Sequence, residues 1–372
     1  SQKFSTFVHM INNKTNIEMQ LATYKSMLTK ASNDLAKSKQ LVGLLKQQIE
    51  QGNTELSEEL DKANERISML YEDFMTYLRE RLGPVMLERI RQCVYTQNDE
   101  SRIVVRSRES KEDKFKYNVE YIHAALSMEA KLCVMEYKEG SRSHSVQEDA
   151  IFKDSCIRVF TADRAVLYET IEKDLEEMGL VRTACWFHAR HRFVDAYISD
   201  HRVRVIILMM NYLFQIERES KIRKHTAKQR RRFRLKYSAS IVGKLMKLLK
   251  KIKLDSSYGA MVQRAVNYVL DDEKAFKVFL QDGRVEMHNN AVERMFRHLA
   301  MGRRNWMHTG SHLGAENIAF MFSLFESCKL NDINFGDYIE DILTRLMEGE
   351  QDFMSLIPCN YNSNKKVNVK AA

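Results

Sequence analysis

Two prolines in 372 residues, Pro84 and Pro358, are the feature that most limits what this chain can become. Proline breaks helices by removing a donor and by clashing with the preceding turn, so its near-absence leaves almost the whole chain open to long helices. Residues 13 to 82 read as one such helix. Leu21, Leu28, Leu35, Val42, Ile49 and Leu56 recur every seven residues, with Tyr24, Ala31 and Leu45 partly filling the second seam. After Leu56 the phase shifts through Leu60, Ala63, Ile67, Leu70 and Phe74, which is the pattern of a coiled coil with a stutter. The expectation is a dimerising coiled coil; a long helix folded back on its own chain is the alternative. Residues 1 to 12 read as a flexible N-terminus.

Past Gly83-Pro84 the pattern changes to short pieces rich in β-branched and aromatic residues: VYTQ, RIVVRS, KYNVEYIHAAL, KLCVMEYK and IRVFTAD. Polar stretches separate them, and a short helix is expected near 145 to 154. VLYETIEKDLEEMG reads as an amphipathic helix capped by Gly179, and LVRTACW as a further strand. From His188 to about Val285 the chain is helical again, and a last apolar helix, GAENIAFMFSLFESCKL, precedes a tail expected to be disordered.

Charge is distributed unevenly. The net charge is +9, yet the window from Lys221 to Lys253 holds fourteen Lys or Arg and no acid, leaving 9 − 14 = −5 for everything else. Such a window, with Phe233 and Tyr237 interleaved, suits salt-sensitive contacts to phosphates, for which Arg230, Arg231, Arg232 and Arg234 are the chosen residues. A solvated helix face is the alternative. No apolar run approaches the roughly 18 residues a membrane helix needs, and the N-terminus lacks a signal-peptide pattern, so a soluble cytoplasmic protein is expected. Six scattered cysteines without a CxxC suggest neither a disulfide framework nor a zinc ribbon. Cys185, His188 and His191 have tempting spacings, but three ligands without a fourth make a poor zinc site.

The stretch EMHNNAVERMFRHLAMGRRNWMHTGSH, residues 286 to 312, places Asn290, Glu293, Arg294 and Arg297 on one helical face and Val292, Phe296 and Leu299 on another. A carboxylate beside arginines is ordinarily a solvated ion pair. Two strand-associated acids give it context: Asp163 ends IRVFTAD, and Asp99 lies in YTQNDES beside the first strand. Two Asp on neighbouring strands with a Glu from a later helix is the ligand arrangement of a two-metal phosphoryl-transfer site. Spacing alone does not select these three from fifty acids.

The two blocks CWFHARHRFVDAY and FLQDGRVEMHNNAVERMFRHLAMGRRNWMHTGSHLGAENIAFMFSLFESCKLNDINFGDYIEDIL resemble the insertion sequence 66 family of bacterial transposases. The second carries the distinctive Asn-Asn-x-x-Glu-Arg and Gly-Arg-x-Asn-Trp elements, and the similarity spans roughly residues 88 to 348. It implies an α/β fold with a ribonuclease H-like mixed sheet and an all-α insertion, preceded here by the long coiled-coil helix. The core would comprise 88 to 187 and 286 to 348, the basic insertion 188 to 285, and the C-terminal tail 349 to 372.

The resemblance further implies an Asp-Asp-Glu triad on Mg²⁺, two ions with Mn²⁺ as a substitute. Asp163 would be the second acid, Glu293 the third and Asp99 the first, with Glu100 as the competing choice. Three positions depart from the family pattern. Ser101 and Arg102 follow Asp99 and Glu100 where Thr-Pro is common, Arg164 and Ala165 follow Asp163 where Gly-Tyr is common, and His288 stands where an Asp is usual.

The implied activity is DNA cleavage and strand transfer at an element's ends, in a bacterial nucleoid. Partners would be terminal inverted repeats, target DNA and a second copy through the coiled coil, with accessory proteins of the same element left open. His188, Arg190, Arg192, Asn290, Arg294, Arg297, Arg303 and Arg304 would face the DNA, with Trp306 as a stacking ring or core filler. A catalytically inactive DNA-binding or assembly protein on the same scaffold is the alternative, and a coiled-coil scaffold with a basic helix that binds any polyanion is a third.

Overall fold

The structure, a computed structural model, describes residues 33–34, 36–44, 57–108, 115–140 and 148–362. The coiled-coil seam expected between 13 and 82 lies largely outside these residues, as do the N-terminal twelve and the end of the tail. The chain divides into two compact units, one of residues 1–86 and 331–372, the other of residues 87–330. The expected second core segment, 286 to 348, has residues in both units.

The first unit contributes most of helix α1, Ser57–Arg91, which continues through Pro84 instead of ending there. The reason lies in its apolar face. Leu78, Leu82, Met86 and Ile90 are buried at four-residue spacing, while Pro84 is exposed on the opposite side, so packing overrides the missing donor. In the same unit Tyr338 donates its hydroxyl to the Leu356 carbonyl, and Tyr361 bonds Asp341. The start of the expected disordered tail is thus tied down.

The second unit is built on a five-stranded sheet of order β3-β2-β1-β4-β5. Its strands are β1 Tyr95–Arg108, β2 Phe115–Ser127, β3 Leu132–Glu136, β4 Val159–Ala162 and β5 Val181–Ala184. The first three run antiparallel in sequence, while β4 and β5 are parallel to β1 and to each other. VYTQ and RIVVRS, expected as separate strands, are one strand of fourteen residues, so Asp99 lies within β1 and not beside it. The helix expected near 145 to 154 is a single wide turn, Glu148–Phe152.

Helix α2, Val166–Asp174, connects β4 to β5, and Gly179 closes that connection with φ +74°, a left-handed conformation that costs glycine little. After β5 come α3 Trp186–Tyr197, α4 Arg204–Ile222, α5 Ala227–Tyr237, α6 Ala239–Leu254, α7 Ala260–Leu270 and α8 Glu273–Lys277. All of these but α5 share one core with the sheet end, in which Trp186 is fully buried, edges onto Phe276 and donates its indole N–H to the Phe276 carbonyl. The insertion is therefore fused to the sheet through α3.

Helices α9, Asn290–Trp306, and α10, His312–Leu330, cover the other part of the sheet. Ile103 and Val105 of β1 and Ile122, Ala124 and Leu126 of β2 pack against Val292, Phe296 and Leu299 of α9 and Ala315 and Ala319 of α10. A strand at the edge of a sheet leaves backbone donors unpaired. On β3 this is solved by α10, whose Ser327 and Ser323 hydroxyls accept from the Cys133 and Met135 amides at 3.0 and 2.7 Å.

Candidate functional site

The parallel pairing of β1 with β4 sets Gln97 beside Thr161. Two residues further on stand Asp99, within β1, and Asp163, just past the end of β4, brought to adjacent positions by register alone. Alternation then separates Asp99 from Glu100. Asp99 pairs with Ala124, which belongs to the layer covered by α9, whereas Glu100 pairs with His123 and points to the other face, toward Tyr168 of α2. Glu293, in the first turn of α9, approaches from the side that Asp99 faces.

The electrostatics agree. Burial pushes the Asp99 carboxyl well above the usual carboxylate range, and the negative charges of Glu100, Asp163 and Glu293 push it further in the same direction. The Glu100 carboxyl is raised by burial and by Asp163, partly offset by the Tyr168 hydroxyl. Asp163 anchors its own turn by accepting from the Ala165 amide at 3.0 Å. A half-buried set of mutually repelling carboxylates, whose oxygens are hard donors, fits a divalent cation of the magnesium class. The sheet holds two of its members and a helix the third.

The segment that delivers Glu293 is held at every step. The Glu286 amide donates to the Tyr95 hydroxyl and the Trp186 amide to the Met287 carbonyl. The backbone amides of His188, Asn289 and Phe187 lie around the sulfur of Cys185, the residue just before α3, and favour its ionised form. Burial nonetheless pushes the Cys185 thiol up to about 12. His188, one turn into α3, sets Nε2 3.7 Å from Glu293 Oε1. His191 instead turns outward to Asp195.

The basic window divides into two faces. Arg234 is fully buried: it bonds both carboxylate oxygens of Glu217 at 2.7 Å and the carbonyls of Phe279, Asp282 and Val285. Arg230, 11% exposed, bridges Glu217 and Glu286, each within 2.8 Å, and Lys221 reaches Glu286 at 2.9 Å. Burial alone would raise the Glu286 carboxyl, but Arg230 and Lys221 hold it down to about 2. Arg230 and Arg234, expected to touch DNA, are therefore internal clamps, because their guanidinium groups are consumed by buried carboxylates and carbonyls. Gly283 makes the clamp tight, since a Cβ there would lie 1.9 Å from the Ala227 carbonyl oxygen.

Arg231 and Arg232, on the opposite face of α5, are exposed, as are Arg294, Arg297 and Arg304 on α9. Asn290 is half-buried at the start of α9. Arg192 lies over the Tyr268 ring at 4.1 Å, and Arg190 bonds Asn211. Arg303 donates to the Arg102 carbonyl at the edge of β1. Trp306 folds back on Gly302 and packs against the α9 core, which is the core-filler role.

The residues that sequence reasoning missed are Glu217 and Glu286. Their signal was weak because both lie outside the acid-free window that they neutralise.

Together these features describe an α/β protein with half-buried carboxylates at its strand ends and a helical insertion clamped to the segment that leads into α9. Residues 72–317 match the family model described as Transposase IS66 family, and the chain belongs to that family. The chain is 32% identical over 181 residues to uncharacterized protein y4qI of Sinorhizobium fredii (strain NBRC 101917 / NGR234), covering 48% of this chain and 33% of that protein. It is 31% identical over 233 residues to uncharacterized protein y4jD of the same organism, covering 60% and 45%. The chain thus spans less than half the length of these relatives. No solved structure matches it. Among the described residues no helix is long and apolar enough to cross a membrane.

Replacing Arg234 by Met removes one of the two guanidinium partners of the buried Glu217 and strips the donor from three buried carbonyls, and a loss of about 3 kcal/mol is expected in urea denaturation. Arg231→Gln, on the exposed face, should stay within about 0.5 kcal/mol of the parent.

Asp99 gives the opposite sign. A carboxyl raised by folding destabilises the protein above its folded value and contributes nothing below its ordinary unfolded value. Asp99→Asn should therefore raise the thermal midpoint at pH 7 without divalent ions, and the gain should shrink as pH falls toward the ordinary carboxylate range. An equal gain at every pH would exclude a charge origin.

Proposed function

We propose that this chain carries out metal-dependent DNA cleavage and strand transfer at the ends of an insertion sequence, with Asp99, Asp163 and Glu293 as the catalytic carboxylates. The convergence of these three, two from parallel strands and one from α9, carries the reading. The mixed sheet, antiparallel over β1 to β3 and parallel from β1 through β5, fits the ribonuclease H-like core implied by the sequence resemblance. Family membership supports a DNA substrate.

Asp99, Asp163 and Glu293 would hold two hard divalent cations. Bound there, such ions polarise a phosphodiester and lower the pKa of an attacking hydroxyl. The chain's own part is placement and charge. β1 and β4 fix the two Asp by register, and α9 brings Glu293 over their ends. The exposed Arg294 and Arg297, one and four residues beyond Glu293, meet the phosphates flanking the reacting one.

In the first step water attacks the phosphodiester at the element's end, the P–O bond to the 3′ oxygen breaks, and that oxygen leaves as a free 3′-hydroxyl. In the second step this hydroxyl attacks a target phosphodiester in line and displaces the target's own 3′ oxygen. Arg231 and Arg232, held outward because Arg230 and Arg234 are anchored inward, extend the phosphate track along α5. A dimer through the N-terminal heptads would supply the two active sites needed for two element ends.

Nicking of a labelled end in Mg²⁺ is the direct assay. Asp163→Ala and Glu293→Ala should each lower it by about 10³-fold, with DNA binding retained. Undiminished nicking in either variant would remove the carboxylate assignment. Specific binding by the parent without any nicking would favour the inactive assembly role.

Arg231→Gln combined with Arg232→Gln should flatten the slope of log affinity against log salt by about 0.9 for each phosphate that α5 no longer neutralises. An unchanged slope would take α5 off the DNA path.

A further inference from the structure

We propose that Cys185, His188 and Glu293 form a second cation site, selective for thiophilic divalent ions of the zinc class, that adjoins the carboxylate cluster and shares Glu293 with it. Three elements converge to make it. Cys185 ends the β5 connection, His188 lies three residues on and hence on the same side of α3, and Glu293 arrives from α9. One ligand atom from each, the sulfur, an imidazole nitrogen and a carboxylate oxygen, lies within 4.8 Å of the other two. His188 Nε2 and Glu293 Oε1 are 3.7 Å apart. In a tetrahedral zinc site the ligand atoms stand about 3.3–3.6 Å from one another, so roughly 1 Å of side-chain closure completes this triangle.

The polar atoms here are unsatisfied in a way that points to an occupant. Glu293 Oε1 and His188 Nδ1 are both buried without a hydrogen-bond partner. A carboxylate oxygen left bare in this way is costly, and a cation seated between it and the His188 Nε2 removes that deficit, leaving Nδ1 on the far side of the ring for an outer-shell partner. The backbone amides of His188, Asn289 and Phe187 surround the sulfur, where they stand as outer-shell donors do around a metal-bound thiolate.

The donor set decides the ion class. Thiolate and imidazole are poor partners for magnesium, which prefers oxygen, and good ones for zinc, cobalt(II) or cadmium. His188 and Glu293 are 39% and 33% exposed, which leaves one side of the triangle open for a water or a fourth ligand. His191 contributes nothing, since it is exposed and bonded to Asp195.

The consequence for activity rests on the catalytic reading of Glu293 given above. An ion held by Cys185 and His188 draws Glu293 away from Asp99 and Asp163, so zinc-class ions would compete with magnesium for the enzyme. The binding claim stands without that reading.

Cobalt(II) titrated into the full chain under reducing conditions is the test, read by the near-ultraviolet thiolate-to-cobalt charge-transfer band. The band should saturate at one thiolate-bound cobalt per chain. The band should vanish in Cys185→Ser and persist in Cys156→Ser, which changes an exposed cysteine elsewhere. His188→Ala and Glu293→Gln should each weaken binding by about tenfold or more. These two side chains are partly exposed, so they keep the test decisive if Cys185→Ser does not fold.

No band in the parent, a band that survives in Cys185→Ser, or unchanged affinity in both His188→Ala and Glu293→Gln would overturn the site. In the nicking assay, micromolar zinc should inhibit the parent in excess magnesium and inhibit His188→Ala far less. If the parent does not nick at all, the catalytic reading fails while the cobalt result still judges the site.

Discussion

The buried pair of Arg234 and Glu217 is the contact on which the second unit's organisation turns. Arg234 has no exposed atom, and every direction its guanidinium faces is filled by a carboxylate or a carbonyl. Those carbonyls belong to Phe279, Asp282 and Val285, in the stretch of chain that runs from the insertion into α9. Arg230 extends the same network to Glu286, seven residues before Glu293. A network of this kind need not add stability over an apolar equivalent, but it tolerates only one arrangement of its members. It therefore fixes where α9 begins.

The sheet supplies the other half of the placement. Period-two alternation sends two consecutive acids, Asp99 and Glu100, to opposite faces, one toward α9 and one toward α2. Parallel register sets Asp99 beside Asp163 with no help from side chains. The apolar residues of α9 then decide its rotation: with Val292, Phe296 and Leu299 seated on β1 and β2, Glu293 falls on the polar edge. Hydrophobic burial thus aims a charged group that could not aim itself.

Much of this is legible in the sequence. The helix face holding Glu293, the strand ending at Asp163 and the cap at Gly179 follow from periodicity and turn chemistry. Asp99 reads as lying beside a strand because the polar run NDES looks like a turn, when in fact β1 carries those polar residues past the acidic cluster. Pro84 suggests a helix end because proline's local penalty is visible in sequence, while the buried row from Leu78 to Ile90 that overrides it gains its value only from tertiary contacts. Arg230 and Arg234 look free because their partners, Glu217 and Glu286, lie outside the basic window. The third member of the Cys185–His188 group is hidden for the same reason, as it arrives from a helix more than a hundred residues later.

Gly283 shows how little room the clamp leaves. Its backbone lies so close to the Ala227 carbonyl that even a methyl group has no room. Any side chain there forces apart the clamp that seats α9, so Glu293 shifts while Asp99 and Asp163, held by the register of β1 and β4, stay where they are. The packing of a single backbone carbonyl thus governs the position of a carboxylate ten residues away along the chain.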